Sequence, residues 1–385
     1  MTLTVLTDSQ IQELLKNLTR SELEGFQKNL ESALHEYSKA RHAGPKAATA
    51  IQQPERVSIY NPVTGATTLF MPSSSETGNA VKVITLSSPG PSFPHKNNSP
   101  KPTIRPTGAV TFFRPDGSPL GLLHASALTA FRTALASLSV ITHRPVSPTH
   151  GSETLVVFGC GEQAYWHVRL TLVTRGKAVG RVIFVARRRS GAVEEVVRRY
   201  QGEGRWVGCS FEVVSAEDDD YERRLEKVLR AADVIFCCTP STKELFDAGM
   251  LDETKRRLVV AIGSYKPEMR EIPGELVRRA LVDDGESHAG VVVVDTVEGA
   301  IMEAGELIAA GVKEEQLVEL GEIVHPNSVG VLQDPRDRKQ DLRQWLQAGN
   351  VIYKSVGFGL MDLTVGTYLI QLANEKGVGT RIEGF

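Results

Sequence analysis

The chain has 385 residues, 41% apolar and 23% charged, and its 44 basic and 46 acidic residues leave a net charge of −2. That balance disfavours a dedicated nucleic-acid binder or a polybasic membrane protein, and the apolar share excludes disorder of the whole chain. A length of about 150 residues per domain suggests two or three domains.

The first forty residues read as helical. Thr7 or Asp8 caps a helix with Ile11, Leu14, Leu15 and Leu18 on one face. Ser21 with Glu24 forms a capping box for a second helix carrying Phe26, Leu30 and Leu34. Short β-rich runs follow at Val57–Tyr60, Thr67–Met71 and Ala80–Leu86, separated by turn signals such as Asn61-Pro62 and Thr64-Gly65. Residues 87–107 are rich in Pro, Ser and Asn and read as a surface loop. Ala109–Phe113 and Leu120–Leu123 are strands around a Pro115-Asp116-Gly117 turn, and an Ala- and Leu-rich helix follows over 126–139. A second Pro/Ser/Thr/Gly segment at 142–152 is the best candidate for a domain boundary.

Beyond it the alternation is regular. Apolar runs at 154–158, 181–186, 211–214, 233–238, 258–262 and 291–295 alternate with amphipathic stretches such as 192–200 and 220–231. Buried β-branched strands in strand–helix–strand order imply a parallel sheet with helices on both faces. The last fifty residues hold a helical segment near 337–347 and an apolar helix over about 360–375.

The four cysteines (Cys160, Cys209, Cys237, Cys238) form neither a disulfide framework nor a metal pattern, so no metal is expected. Adjacent Cys237 and Cys238, inside an apolar run, suit buried free thiols. The N-terminal decamer has no secretory signature, and no stretch approaches about 18 uninterrupted apolar residues. The expectation is a soluble cytoplasmic protein with no nucleic-acid or membrane partner.

The strongest local signal is TLVVFGCGEQA at 154–164. An apolar strand runs into Gly159-Cys160-Gly161-Glu162-Gln163-Ala164, a GxGxxA dinucleotide fingerprint. Gly159 permits the tight turn, Gly161 lets backbone approach a pyrophosphate, and Ala164 lets helix and strand pack. Glu162 and Gln163 open the helix whose N-terminal amides face the phosphates. The second strand ends in Arg187-Arg188-Arg189, with no acid before Glu194. An acid there would hold a ribose 2′-OH; arginines suit a 2′-phosphate. NADP(H) is therefore expected over NAD(H), with NAD(H) possible. Thr239 and Ser241 at the fourth strand's end, and Gly263 and Ser264 at the fifth's, are placed to touch cofactor or to cap the next segment.

Outside this region, cations stand among apolar strands: Arg56 in QQPERVSIY, Lys82 in AVKVITLSSPG and Arg132 in ALTAFRTALAS. A buried cation is costly unless paired, so a pocket for a small carboxylate is one reading and solvated faces the other.

The motif order resembles the ornithine cyclodeaminase/μ-crystallin family. The matching residues are QPxR at Gln53–Arg56, Met71-Pro72, Lys82 in a K-x-[IV]-T setting, Asp116-Gly117 and LTAxRTA at Leu128–Ala134. They continue with GxGxQA at Gly159–Ala164, ADVIxxxT at Ala232–Thr239 and P-x-x-R-E at Pro267–Glu271. The tail matches at Leu320-Gly321-Glu322, Tyr353–Gly357 and Asp362. The 87–107 loop looks longer than usual. The resemblance implies an α/β fold: a Rossmann doubly wound parallel sheet plus a discontinuous α+β substrate and dimerisation domain, with the active site between them. Its expected spans are 1–141, 142–335 for the NAD(P)-binding part, and 336–385 returning to the first, in a homodimer.

By position, Arg56, Lys82 and Arg132 match the residues that hold the substrate carboxylate, with Met71 beside them. Lys82 also matches a group close to the reacting imine, where a lowered pKa would let it relay a proton. Backbone at Gly357 is placed to meet the nicotinamide. Asp362 matches a family position; a buried helix carboxylate more often holds backbone or an arginine. Tyr265 stands where cyclodeaminases carry an Asp for the ornithine amine. That departure, with the arginines at 187–188, favours the ketimine-reductase branch, acting on 1-pyrroline-2-carboxylate or 1-piperideine-2-carboxylate. The alternatives are an ornithine cyclodeaminase using NAD, an amino-acid or opine dehydrogenase, and a μ-crystallin-like NADPH-dependent binding protein.

Overall fold

A computed structural model describes residues 2–43, 51–87, 106–146, 151–284, 289–325 and 338–385. Most of the expected loop at 87–107, and residues 147–150 of the expected boundary, lie outside that description. The chain forms two compact units: residues 1–132 with 358–385, and residues 133–357.

The first unit contains β1 (Thr2–Leu6), α1 (Asp8–Lys16), α2 (Arg20–Ala43), β2 (Val57–Asn61), β3 (Ala66–Ser75), β4 (Gly78–Ser87), β5 (Thr107–Phe113) and β6 (Pro119–His124). It also takes the start of α3 (Ala125–Thr142).

The second unit contains β7 (Glu153–Phe158), α4 (Glu162–Arg175), β8 (Val179–Ala186), α5 (Gly191–Gly202), β9 (Ser210–Ser215), α6 (Tyr221–Ala231), β10 (Val234–Cys237), β11 (Leu258–Ala261) and α7 (Gly274–Ala280). It continues with β12 (Val292–Val294), α8 (Val297–Glu303), α9 (Gly305–Ala310), β13 (Leu317–Glu319), α10 (Leu320–Ile323), α11 (Arg338–Ala348) and β14 (Val351–Lys354). The chain then returns to the first unit with α12 (Gly359–Glu375) and β15 (Thr380–Glu383).

In the first unit, Thr7 caps α1 through a capping box with Gln10. The box opening α2 uses Thr19 and Glu22 rather than Ser21 and Glu24: Thr19 N donates to Glu22 Oε2 at 2.7 Å, and Glu22 N to Thr19 Oγ1 at 3.2 Å. The earlier start places Leu23 inside the helix, on the buried face with Phe26 and Leu30. β2 to β6 run as an antiparallel meander, and the sheet ends with β1 parallel to β6 and β15 antiparallel to β1. The terminal strand β1 went unread because its five residues pair only with segments more than a hundred residues away.

Helix α12 packs on this sheet through missing side chains. A Cβ on Gly366 would stand 2.1 Å from Cζ of buried Phe112 in β5, and one on Gly121 of β6 would stand 2.5 Å from Cδ1 of Ile370 in α12.

The second unit is an eight-stranded parallel sheet in the order β13-β12-β14-β11-β10-β7-β8-β9. Strand order reverses between β7 and β10, which makes the carboxyl ends of those strands the switch point of a doubly wound fold. β7, β10, β11, β12 and β14 are buried along their whole length, so all but β14 read as apolar runs rather than alternating ones. β14 lies between β11 and β12. Residues 338–357 therefore stay with the parallel sheet, and the return to the first unit comes at Phe358, later than the expected 336.

Among the described residues, α3 alone is long and apolar enough to cross a membrane, by its mean hydropathy rather than by an uninterrupted apolar run. It is largely buried within the fold and carries Arg132, which fits a core helix. Cys237 is a buried free thiol as expected, whereas Cys238 is only half-buried.

Gly366→Ala should destabilise the protein by about 1–3 kcal/mol through overpacking against Phe112. A shifted urea midpoint would show it; an unchanged midpoint would refute the close approach of α12 to β5.

Candidate functional site

In the first unit the expected cations meet around one carboxylate. Lys82 sits in mid-β4, paired across the sheet with Met71 of β3 and Val110 of β5. Directly opposed residues share a face, so Met71, itself buried, flanks the Lys82 side chain. Lys82 is 2% exposed and its Nζ donates to Asp362 Oδ2 at 2.6 Å. Arg132 Nε donates to the other oxygen, Asp362 Oδ1, at 3.3 Å, and Arg132 Nη1 lies 3.4 Å from Met361 Sδ. Asp362 stands in the first turn of α12, where the helix dipole favours an anion.

Gln53 anchors the segment that carries Arg56. Its Oε1 accepts from Leu360 N at 2.9 Å and its Nε2 donates to Pro72 O at 3.2 Å, tying that segment to α12 and β3. Arg56 is half-buried and adds positive potential at Lys82. Burial pulls the Lys82 ammonium down to about 8; Asp362 opposes that shift, while Arg132 and Arg56 reinforce it. Arg132, Arg56 and Asp362 thus set the charge around Lys82, which titrates in a range useful for proton transfer. The sequence reading gave Asp362 only a supporting place; the structure puts it at the centre of the cluster.

In the second unit the fingerprint has the expected form. β7 enters a turn at Gly159, whose φ is +107°, and α4 begins at Glu162 with Gly161 as N-cap. A Cβ on Gly159 would stand 2.9 Å from Cys238 O, whereas one on Gly161 would meet nothing within 4 Å. The α4 N-terminus has no side-chain cap, so its first amides remain open to an anion. These features fit a dinucleotide pyrophosphate. Gln163 Oε1 is buried with no hydrogen-bond partner among the described residues. Glu162 Oε1 is instead held by Arg199 Nη1 at 2.8 Å. Arg187 and Arg188 are exposed at the end of β8. Arg189 is engaged: its side chain pairs with Asp218 at 2.9 Å and its N–H donates to Glu217. Glu217 and Asp218, just before α6, therefore hold the end of the Arg187–Arg189 run.

The remaining strand-end residues are organised by acids that the sequence reading did not single out. Glu271 Oε1 accepts from Thr239 N at 2.7 Å and Thr239 Oγ1 at 3.2 Å. Its Oε2 accepts from Gly263 N at 2.6 Å and Ser264 N at 3.2 Å. Ser264 Oγ donates to Glu306 Oε2 at 2.6 Å, and Lys354 Nζ donates to Ser264 O at 2.7 Å. Asp295 Oδ2 accepts from Gly357 N at 2.7 Å and from Ser355 Oγ at 2.6 Å. Thr239, Gly263, Ser264 and Gly357, expected beside the cofactor or at the start of the next segment, thus direct N–H or hydroxyl donors at buried carboxylates. Ser241 Oγ closes a local turn with Lys243, the capping alternative. Two signals for these acids were present: Glu271 ends the P-x-x-R-E motif, and Asp295 ends the VVVVD run.

Asp362→Asn should cost roughly 3 kcal/mol, the low end for breaking a buried ion pair, because Lys82 can shed its proton. Below pH 8 the variant must deprotonate Lys82 or bury it unpaired, so the loss should be larger at pH 6 than at pH 9. Denaturant midpoints at the two pH values would check this; equal losses would contradict it.

The sequence model of the ornithine cyclodeaminase/mu-crystallin family matches residues 11–377. A Delta(1)-pyrroline-2-carboxylate reductase of Bacillus cereus is 28% identical over 354 residues, covering 88% of this chain and 93% of its own. The ketimine reductase mu-crystallin of Mus musculus is 26% identical over 300 residues, covering 77% and 80%. Among solved structures, the Thermococcus litoralis Delta(1)-pyrroline-2-carboxylate reductase in complex with NADH and L-proline superposes with a TM-score of 0.70. That match covers 99% of this chain and 100% of the other at 20% identity, a likeness of fold. On the family match across nearly its whole length, this chain belongs to the ornithine cyclodeaminase/mu-crystallin family.

Proposed function

We propose that this chain is an NAD(P)H-dependent oxidoreductase that reduces the C=N bond of a small cyclic ketimine carboxylate, of the 1-pyrroline-2-carboxylate or 1-piperideine-2-carboxylate type, to the cyclic amino acid. The observation that carries the reading is the buried Lys82–Asp362–Arg132 cluster with Arg56 beside it. The names of the bacterial and mouse relatives support it.

The substrate carboxylate binds the guanidinium groups of Arg56 and Arg132, whose planar donors fix its orientation. Asp362 holds Lys82 Nζ in one place and favours its ammonium form. When bound, the nicotinamide supplies the hydride for the imine carbon. Lys82 supplies the proton that the ring nitrogen takes as the C=N π bond is lost. Its low pKa makes it a better acid than an ordinary lysine. The dinucleotide is held by the Gly159–Ala164 turn and the α4 amides, with Arg187 and Arg188 on the 2′-phosphate of NADP(H). Those two arginines are exposed and have no ion-pair partner among the described residues.

The direct test is NADPH oxidation against a panel of cyclic ketimine carboxylates, with ornithine as control. Ammonia release from ornithine without reductant would overturn the reading in favour of a cyclodeaminase. Lys82→Met should abolish most turnover while leaving dinucleotide affinity near normal. In the unmodified enzyme the proton-bearing form of Lys82 prevails below about 8 and is lost above, so turnover should fall as pH rises through that value. Full activity of the variant would remove Lys82 from the mechanism. Replacing Arg187 and Arg188 together by Ala should raise the KM for NADPH by about tenfold or more and leave that for NADH nearly unchanged; equal effects on both would sink the NADP(H) preference.

A further inference from the structure

We infer that Glu271 is a positioning residue for dinucleotide binding: its carboxylate clamps the ends of β10 and β11 together and thereby sets the turn that carries Gly159. The inference rests on the dinucleotide site proposed above.

Glu271 is fully buried. Its two oxygens receive four donors, two from Thr239 beyond β10 and two from Gly263 and Ser264 beyond β11. Its own backbone is fixed independently, because Glu271 O accepts from Leu245 N at 2.9 Å. The clamped loops touch backbone to backbone: a Cβ on Gly263 would stand 2.1 Å from Thr239 O and 2.5 Å from Thr239 N. The contact continues toward the fingerprint. A Cβ on Gly159 would stand 2.9 Å from Cys238 O, the residue before Thr239, and Cys238 N donates to Phe158 O at 2.9 Å. Moving the end of β10 therefore moves the surface against which the Gly159 turn is packed, at the sheet's switch point.

The clamp lies in a dry setting. Lys354 of β14 and Glu306 of α9 face it through Ser264, and Cys237 and Cys238 lie beside it. Burial raises the Glu271 carboxyl, and Glu306 reinforces that shift; Lys354 and the N–H groups of Thr239 and Gly263 oppose it, and four donors aimed at its two oxygens fit the ionised form alone. Four donors need an acceptor on both oxygens. An amide cannot replace it, because its NH2 would confront N–H groups on one side.

The test is NADPH and NADH binding by nicotinamide fluorescence titration in Glu271→Gln, with thermal unfolding and steady-state kinetics in parallel. The expected result is a dissociation constant and dinucleotide KM raised about tenfold for both cofactors, with kcat at saturation within about threefold and the imine KM unchanged. A folded variant that binds both dinucleotides within about twofold of the parent, whatever its melting temperature, would overturn the inference and leave Glu271 a plain structural tie. If Glu271→Gln does not fold, Glu271→Asp keeps the charge one methylene short of both backbones. A raised dissociation constant there supports the clamp and an unchanged one refutes it. A parent protein that binds dinucleotide but reduces no imine would fail the proposed function alone, whereas one that binds no dinucleotide would fail both.

Discussion

The first unit is organised around one buried carboxylate. Asp362 is almost fully buried, as are Lys82 and Arg132, which approach its two oxygens from a strand and a helix far apart in sequence. Placing these charges in a dry interior carries a desolvation cost that only close, hydrogen-bonded geometry offsets. That requirement fixes the neighbours. α12 must begin where its N-terminal turn reaches β4. A Cβ on Gly359 would stand 2.9 Å from Pro72 O, which sets how near the helix starts to β3. Gln53 completes the junction by bonding both Leu360 N and Pro72 O. Arg56 is delivered by the segment Gln53 anchors, so the same contacts that seat Asp362 also place the outer cation.

The second unit applies the same physics to backbone rather than to cations. Parallel strands end in loops whose amides need acceptors, and a buried amide without one is costly. Here Glu271 serves the ends of β10 and β11, and Asp295 serves the segment after β14 through Val356 N, Gly357 N and Ser355 Oγ. Gly357, at φ +76°, adopts the left-handed backbone that this arrangement requires. By contrast, the α4 N-terminus is left without a side-chain cap. Where the protein satisfies its own amides no ligand is needed to complete them; where it does not, an anion can.

This contrast explains which parts of the site were readable from sequence. The fingerprint turn, the parallel strands and the three cations stand out because each is a local pattern: a glycine spacing, an apolar run, a charge among apolar residues. Thr239, Gly263 and Ser264 were correctly placed at strand ends, but their partner was not visible, because a strand-end hydroxyl looks the same whether it faces a ligand or a glutamate. Glu271 lies 32 residues from Thr239 and Lys82 lies 280 from Asp362, separations across which no periodicity operates. The capping box at Thr19 was missed for a smaller reason. Two overlapping candidates, Thr19/Glu22 and Ser21/Glu24, share the motif, and the burial of Leu23 decided between them. β1 and β14 were missed because short strands gain their identity from neighbours on both sides.

The separation of Lys82 from Asp362 also bears on how the site comes into being. The cations belong to the part of the first unit before residue 133, and their acid to the part after 357, with the whole parallel sheet encoded between. Without α12 in place Lys82 in mid-sheet would lack the carboxylate of Asp362, and desolvating an unpaired ammonium favours losing its proton. Docking α12 therefore does two things in one step. It covers the apolar face around Phe112, and it brings the carboxylate that restores a charged Lys82. Stability of the first unit and the acid–base character of its lysine are thus set by the same contact.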